Sequence, residues 1–235
     1  MLKFHFFHFL NNYNRVFGLN SLNIFSGFKV LDNELPNSSW PKSCLIELLT
    51  NNSIEKDISF IIPTIKQIIK KNHKVVIFSK NTFKHYDTFL LSGIPENLLI
   101  FIDSHSSLDK ISQLNKQRKM PIGALIGWVE DKQSFIGLQK IQSCLKTINC
   151  FSFLFRSLSN KDKPSPSPLR ITLEDAGLSK IRLTVIKRRG PTAPITFDLY
   201  VQKKNFNENF DYVVNNKKHK LLDKFFYDQT RSSSH

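Results

Sequence analysis

Short apolar runs alternate along the chain with stretches that carry apolar residues at helical spacing, and this pattern most limits the possible folds. The runs have the length and continuity of strands that are buried on both faces of a parallel sheet. Repeated β-α-β units therefore predict an α/β fold, a mainly parallel sheet covered by helices. The predicted strands are 74–79, 98–102, 123–129 and 151–155, and the predicted helices include 58–69, 86–92 and 135–148.

The pattern changes after residue 160. Residues 161–168 (Lys-Asp-Lys-Pro-Ser-Pro-Ser-Pro) predict a mobile loop that is punctuated by prolines. The segments 169–173 and 181–187 then alternate apolar and polar residues, as antiparallel strands with one solvated face do. Residues 195–200 have the composition of a further strand. A C-terminal antiparallel β-hairpin extension is therefore expected beside the parallel sheet.

The chain of 235 residues predicts one packed domain with ends of different composition. Residues 1–27 form an aromatic-rich N-terminal extension, 28–203 the domain, and 204–235 a polar C-terminal tail. No run approaches the roughly 18–20 apolar residues of a bilayer-spanning helix, so no membrane partner is expected. The three cysteines are far apart and form no C-x-x-C pair, which favours a reducing, cytoplasmic location.

The chain carries a formal net charge of +15. Such an excess is typical of proteins that bind a polyanion such as DNA or RNA. It is equally typical of proteins translated from AT-rich genomes, where lysine is frequent everywhere. Charge alone therefore does not decide between these interpretations.

The start of the predicted domain has a recognisable pattern. Residues 31–42 (Leu-Asp-Asn-Glu-Leu-Pro-Asn-Ser-Ser-Trp-Pro-Lys), followed by the apolar run 44–49, resemble the opening of RecA-type nucleotide-binding domains. In those domains a Leu-Asp-x-x-Leu segment precedes a Gly-Gly-x-Pro-x-Gly turn and the first core strand. Here Asn37, Ser38 and Ser39 replace the turn glycines. The resemblance implies a RecA-like sheet flanked by helices.

The segment that follows this first strand lacks a phosphate loop. Residues 50–57 (Thr-Asn-Asn-Ser-Ile-Glu-Lys-Asp) contain no glycine and no Gly-Lys-Ser/Thr sequence. A phosphate cradle needs glycines that turn backbone N–H groups toward one anion, a lysine for the outer phosphates, and a hydroxyl for magnesium. Glu55 and Asp57 would instead repel a triphosphate. The sequence predicts a degenerate ATPase fold without Walker A, no cofactor and no enzymatic activity.

The strand at 123–129 also lacks the acidic residue that holds magnesium in a Walker-B motif, because Glu130 and Asp131 come late. The adjacent Asp103, Ser104 and His105 have no Gly-x-Ser-x-Gly elbow around them and do not predict a hydrolase triad. The pair His5 and His8 lacks further metal ligands nearby in the sequence. No catalytic, cofactor or metal residues are therefore predicted.

Four later segments occur in an order that resembles the ImuA family of RecA-like proteins. They are 123–129 (Gly-Ala-Leu-Ile-Gly-Trp-Val), 150–156, 166–173 and 185–190 (Val-Ile-Lys-Arg-Arg-Gly). The resemblance covers roughly residues 27 to 200. It implies an accessory role in SOS-induced translesion DNA synthesis and DNA repair. It also implies contact with an ImuB-type polymerase homologue and the RecA recombinase, with DNA as a further candidate partner.

Residues 58–156 also resemble SulA, the SOS inhibitor of cell division. The shared features are the strand with 126–128 (Ile-Gly-Trp) and the ending 153–156 (Phe-Leu-Phe-Arg). SulA lacks the basic hairpin after residue 168, which favours ImuA. A SulA-like inhibitor of the tubulin-like division protein stays as an alternative, and an ATP-dependent recombinase is a disfavoured one.

The hairpin carries the best candidate binding residues. Alternation places Arg182 and Thr184 on the face opposite Ile181, Leu183 and Val185. A solvated arginine face could bind the phosphates of a nucleic acid or the acidic side chains of a protein partner. The alternative is a charged surface that prevents strand-to-strand aggregation. The candidate partner or nucleic-acid binding residues are Arg170, Lys180, Arg182, Lys187, Arg188 and Arg189.

Overall fold

The described part of the chain builds one sheet with helices packed on both faces. The computed structural model describes residues 23–79, 82–102, 121–129, 134–190 and 193–201. In chain order its helices and strands are α1 Lys29–Asp32, β1 Ile46–Thr50, α2 Ile54–Ile69, β2 Lys74–Phe78, α3 Thr82–Leu91, β3 Leu99–Ile102, β4 Ile122–Trp128, α4 Phe135–Ile148, β5 Phe151–Ser157, β6 Leu169–Asp175, β7 Lys180–Lys187 and β8 Ile195–Tyr200.

Eight described strands lie in the order β3-β2-β4-β5-β1-β6-β7-β8. The pairs from β3 to β6 are parallel, whereas β7 is antiparallel to both β6 and β8. This arrangement confirms the predicted fold class, a RecA-like, mainly parallel sheet flanked by helices with an antiparallel C-terminal extension. We call the side where the parallel strands begin the amino edge, and the side where they end the carboxyl edge. Because β7 runs in reverse, it ends at the amino edge.

Each face of the sheet has its own apolar layer, because successive side chains of a strand point to opposite faces. On the first face, α2 contributes a stripe of isoleucines at helical spacing, as predicted, and Ile58, Ile61 and Ile65 are buried. On the second face, α4 packs through Leu138 and Leu145 onto the central strands. Burial of this apolar surface supplies the main driving force for the fold.

Local sequence signals begin and end the two longest described helices. Ser53 caps α2 by accepting a hydrogen bond from the backbone N–H of Lys56, and Ser134 caps α4 by accepting from Gly137. α4 ends at Asn149, whose φ of 58° places it in the left-handed region. α2 contains Pro63 and continues through it to Ile69.

The segment before β1 is part of the packed unit. The Ile24 side chain lies in the core of the first face, and its carbonyl accepts a hydrogen bond of 2.9 Å from the Trp40 backbone. The Trp40 indole N–H donates to Thr64 Oγ1 on α2 at 2.9 Å. Residues 24–27, which the sequence assigns to the extension, therefore pack with the domain. Residues 1–22 and the tail 204–235 lie outside the described residues.

Candidate functional site

The connection between β1 and α2 stands where a RecA-like ATPase holds its phosphate loop. It consists of residues 51–53 (Asn-Asn-Ser). None of the three adopts the positive φ that glycines supply in a phosphate cradle. Ser53 already accepts a hydrogen bond from the first turn of α2. The connection is therefore a short, capped turn without the elements of a nucleotide cradle.

A buried carboxylic acid lies directly behind this turn. Asp57, in the first turn of α2, accepts a hydrogen bond of 3.0 Å from Thr50 Oγ1. The side-chain N–H groups of Asn52 and Trp128 also lie beside this carboxyl, without forming hydrogen bonds to it. Burial raises the pKa of Asp57 to about 7, although the hydrogen bond from Thr50 lowers this pKa in part. When ionised, this group places negative charge beside the turn that replaces a phosphate loop.

Aromatic side chains fill the neighbouring part of the carboxyl edge. Trp128, at the end of β4, stacks on Phe155 with ring centroids 4.7 Å apart. The ring of His85 from α3 also contacts Trp128, with centroids 4.0 Å apart. His85 Nδ1 forms a hydrogen bond of 3.1 Å with Ser79 Oγ at the end of β2. In open α/β sheets ligands usually bind outside the carboxyl ends of the strands, and here protein side chains pack in that position.

Several residues weighed in the sequence analysis lie outside the described ranges. They include the late acidic pair Glu130 and Asp131, and the adjacent Asp103, Ser104 and His105. Among the residues that the structure places, no group of three His, Cys, Asp or Glu side chains could hold a metal ion. Within the same ranges, no helix has the length and apolar character needed to cross a bilayer.

The six candidate basic residues do not form one surface. Arg170 is buried on the second face of the sheet, at 7% exposure. Its Nε atom pairs with Glu47 Oε2 at 2.7 Å, and Arg156 Nη1 pairs with Glu47 Oε1 at 2.8 Å. Glu47 on β1 is fully buried between the two guanidinium groups. Arg170 is therefore a structural residue and is not exposed to a partner.

The segment expected to be a mobile loop covers this buried charge cluster. The Arg170 guanidinium donates to the carbonyl oxygens of Asn160 and Lys161, at 2.7 and 3.0 Å. Ser167 Oγ, also buried, lies 2.6 Å from the carbonyl oxygen of Leu45. These hydrogen bonds hold residues 160–168 against the sheet.

Lys180 and Arg182 lie on the outer face of the hairpin, where alternation placed Arg182. Both pair with Asp198 on β8, with N–O distances of 2.7 and 3.1 Å. Glu174 on β6 lies directly opposite Arg182 in the register. Two acidic groups thus accompany two basic groups, and this face carries little excess positive charge.

The other three candidates lie at the amino edge, where β7 ends. Lys187 Nζ donates to the carbonyl oxygen of Ser165 at 3.0 Å. Arg188 is half-buried and pairs with Glu34 at 3.3 Å. Arg189 is exposed and lies near Cys44. Burial raises the pKa of the Cys44 thiol to about 11, and the charge of Arg189 offsets part of that rise.

Part of the chain is similar to part of a curated yeast protein. No family model matches the sequence. Over 156 residues, 66% of this chain, the sequence is 30% identical to MIOREX complex component 12 of Saccharomyces cerevisiae (strain ATCC 204508 / S288c). The aligned stretch is 25% of that yeast protein, so the chain spans about a quarter of the length of this curated relative.

Proposed function

We propose that this protein is a non-catalytic, RecA-like accessory protein of the ImuA type, which acts in the cytoplasm in SOS-induced translesion DNA synthesis and DNA repair. The observation that carries the proposal is the carboxyl edge. There a three-residue turn replaces the phosphate loop, and Asp57 and Trp128 pack behind it. A RecA-like body without a nucleotide site still offers surfaces for docking other macromolecules.

The hairpin supports the ImuA type over the SulA type. Strands β6, β7 and β8 continue the central sheet through backbone pairing, and Ile171, Leu183 and Leu199 are buried in its core. The hairpin is therefore an integral part of the domain. The partners that we propose are an ImuB-type polymerase homologue and the RecA recombinase, with DNA as a further candidate. The yeast relative is, by its name, a component of a complex, which accords with a role in an assembly.

Titration with ATP tests the missing nucleotide site. We expect no saturable binding of Mg-ATP or a non-hydrolysable analogue at millimolar concentration, because the β1–α2 turn lacks glycines, the lysine and the free hydroxyl of a phosphate loop. Isothermal titration calorimetry on the full chain measures this, with an active RecA-type ATPase as the positive control. Micromolar affinity would contradict the proposal and favour the ATP-dependent recombinase.

Partner capture tests the accessory role. We expect the immobilised protein to retain the purified ImuB-type polymerase homologue, RecA, or both. Overexpression in the host distinguishes the ImuA type from the SulA type. Raised damage-induced mutagenesis supports the ImuA type, whereas filamentous cells support a SulA-like inhibitor of the tubulin-like division protein. Failure to retain either partner would count against the proposed function.

A further inference from the structure

A recess opens at the amino edge of the sheet. The usual ligand position in such sheets is the opposite, carboxyl edge. Lys42, Lys71, His73 and Asn149 line it together with the ring of Phe151. Lys42 Nζ lies 6.0 Å from the centre of that ring. The recess thus combines an apolar lining with two lysines.

Gly123, the second residue of β4, allows His73 to pack at this place. A Cβ atom at Gly123 would lie 2.4 Å from Ile68 Cγ2 and 2.7 Å from His73 Cβ. Real Cβ atoms do not approach other atoms so closely, so a larger residue would displace the histidine. The glycine therefore fixes the shape of the recess.

His73 is a buried polar group whose second ring nitrogen is unsatisfied. The residue is 8% exposed, and among the described residues Nε2 has no hydrogen-bond partner. Burial lowers the pKa of His73, and the charges of Lys42 and Lys71 lower it further. Buried polar groups are nearly always hydrogen-bonded. An anion held between the two lysines would favour the protonated ring and accept a hydrogen bond from it.

Further basic side chains extend the recess into a row. Lys70 and Lys71 follow the end of α2, Lys74 begins β2, and Arg189 follows β7. None of these four takes part in an ion pair within the described ranges. The sheet order separates β2 from β7 by five strand steps, or about 24 Å at ~4.8 Å per step. The row is therefore long, and within the described ranges no carboxylate pairs with these four side chains, in contrast to the hairpin face.

We propose that this amino edge binds the phosphate backbone of a polynucleotide, with one phosphate seated in the recess between Lys42 and Lys71. A row of about 24 Å corresponds to roughly seven nucleotides at ~3.4 Å per nucleotide along one strand. Phe25, which follows Ile24 of the recess lining, is an exposed large apolar side chain beside the row, whereas insertion into a bilayer surface needs a face of several such side chains. The proposal concerns DNA, the further candidate partner named above, and is independent of the two protein partners.

Fluorescence anisotropy with a labelled single-stranded 20-mer and its duplex tests this surface on the full chain. We expect the double variant Lys71→Gln, Arg189→Gln to raise Kd at least about tenfold at ~100 mM salt, and to reduce the slope of log K against log salt by about 1 to 2. The matched control, Lys140→Gln with Lys163→Gln, removes two exposed charges elsewhere and should stay within about twofold of the parent. Lys70→Gln with Lys74→Gln repeats the measurement on different side chains of the row.

Three outcomes would overturn the proposal. The parent protein fails to bind either oligonucleotide at low salt, or the control variant weakens binding as much as the edge variant. In the third outcome, the double variant Lys180→Gln, Arg182→Gln abolishes binding while the edge variant does not, which would assign the site to the hairpin face.

Sedimentation with phosphatidylserine vesicles is run in parallel. Vesicle binding that is lost in the edge variant, without oligonucleotide binding, would assign the edge to a membrane. Capture of the polymerase homologue or RecA by the edge variant distinguishes failure here from failure of the proposed function.

Discussion

Replacement of Glu47 by alanine is expected to lower the free energy of unfolding by about 3–5 kcal/mol, because it leaves two buried guanidinium groups without their shared carboxylate. Arg156 and Arg170 approach Glu47 from the neighbouring strands β5 and β6, and all three side chains are buried. With Glu47 removed, the charges of both arginines remain within the protein and repel each other. Burying an unpaired charge costs far more than the pair itself contributes.

Urea denaturation monitored by tryptophan fluorescence measures this loss. The matched control is Glu174→Ala, which removes a carboxylate from the exposed part of β6 and should change stability by no more than about 0.5 kcal/mol. Equal effects of the two substitutions would contradict the buried arrangement. Should the Glu47→Ala protein not fold, Glu47→Gln provides the measurement, since the amide retains the shape and one acceptor oxygen.

The second large effect concerns Asp57 and pH. Between pH 5 and pH 8 the parent protein is expected to lose about 2–3 kcal/mol of unfolding free energy relative to Asp57→Asn, at ~1.4 kcal/mol per pH unit up to the folded pKa. The reason is that burial raises the pKa of Asp57 from an ordinary 3.8 to about 7 in the folded chain. Within that window the folded state holds a proton that the unfolded state has released. The contribution of protonated Asp57 to the free energy of unfolding is therefore fully present below the unfolded pKa, and it is lost as pH rises through the folded pKa.

Denaturation of both proteins at pH 5, 6, 7 and 8 isolates this contribution, because other groups titrate alike in parent and variant. Asp175→Asn is the control. Asp175 is exposed, and its hydrogen bond with Lys56 lowers its pKa, so its effect on stability should be constant above pH 5. A parent-to-variant difference for Asp57 that does not change over the four pH values would contradict the assigned burial.

The sequence pattern predicted most of the sheet because the relevant signals are local. Continuous apolar runs placed β2, β4 and β5, and the alternation in β7 assigned Arg182 to the outer face. The same alternation could not place Arg170. Its partner Glu47 is distant in the sequence, and the prolines of residues 161–168 predict a mobile loop where the structure has a packed cover. Local pattern states which side chains share a face, but not what covers that face.

In the candidate site, too, local sequence predicts some features, whereas others depend on contacts between distant segments. Loss of the phosphate loop is readable from residues 50–57, because glycine and lysine are required at fixed spacing. The packing of Asp57, Trp128 and His85 is not readable, since these residues come from three elements. Their proximity depends on the strand order, which brings β4 and β5 between β2 and β1. The packing of His73, just before β2, depends likewise on Gly123 in β4.

The central position of β1 constrains how this protein is made. Ile46 pairs with Phe153 on one side and with Leu169 on the other, so the middle of the sheet joins an early segment to two late ones. During translation β1 leaves the ribosome long before β5 and β6 are synthesised. Its apolar side chains stay without their strand partners until then. Chains with such distant pairings fold slowly and are prone to aggregate while incomplete. Nascent copies of this protein should therefore depend on chaperones until β6 has emerged.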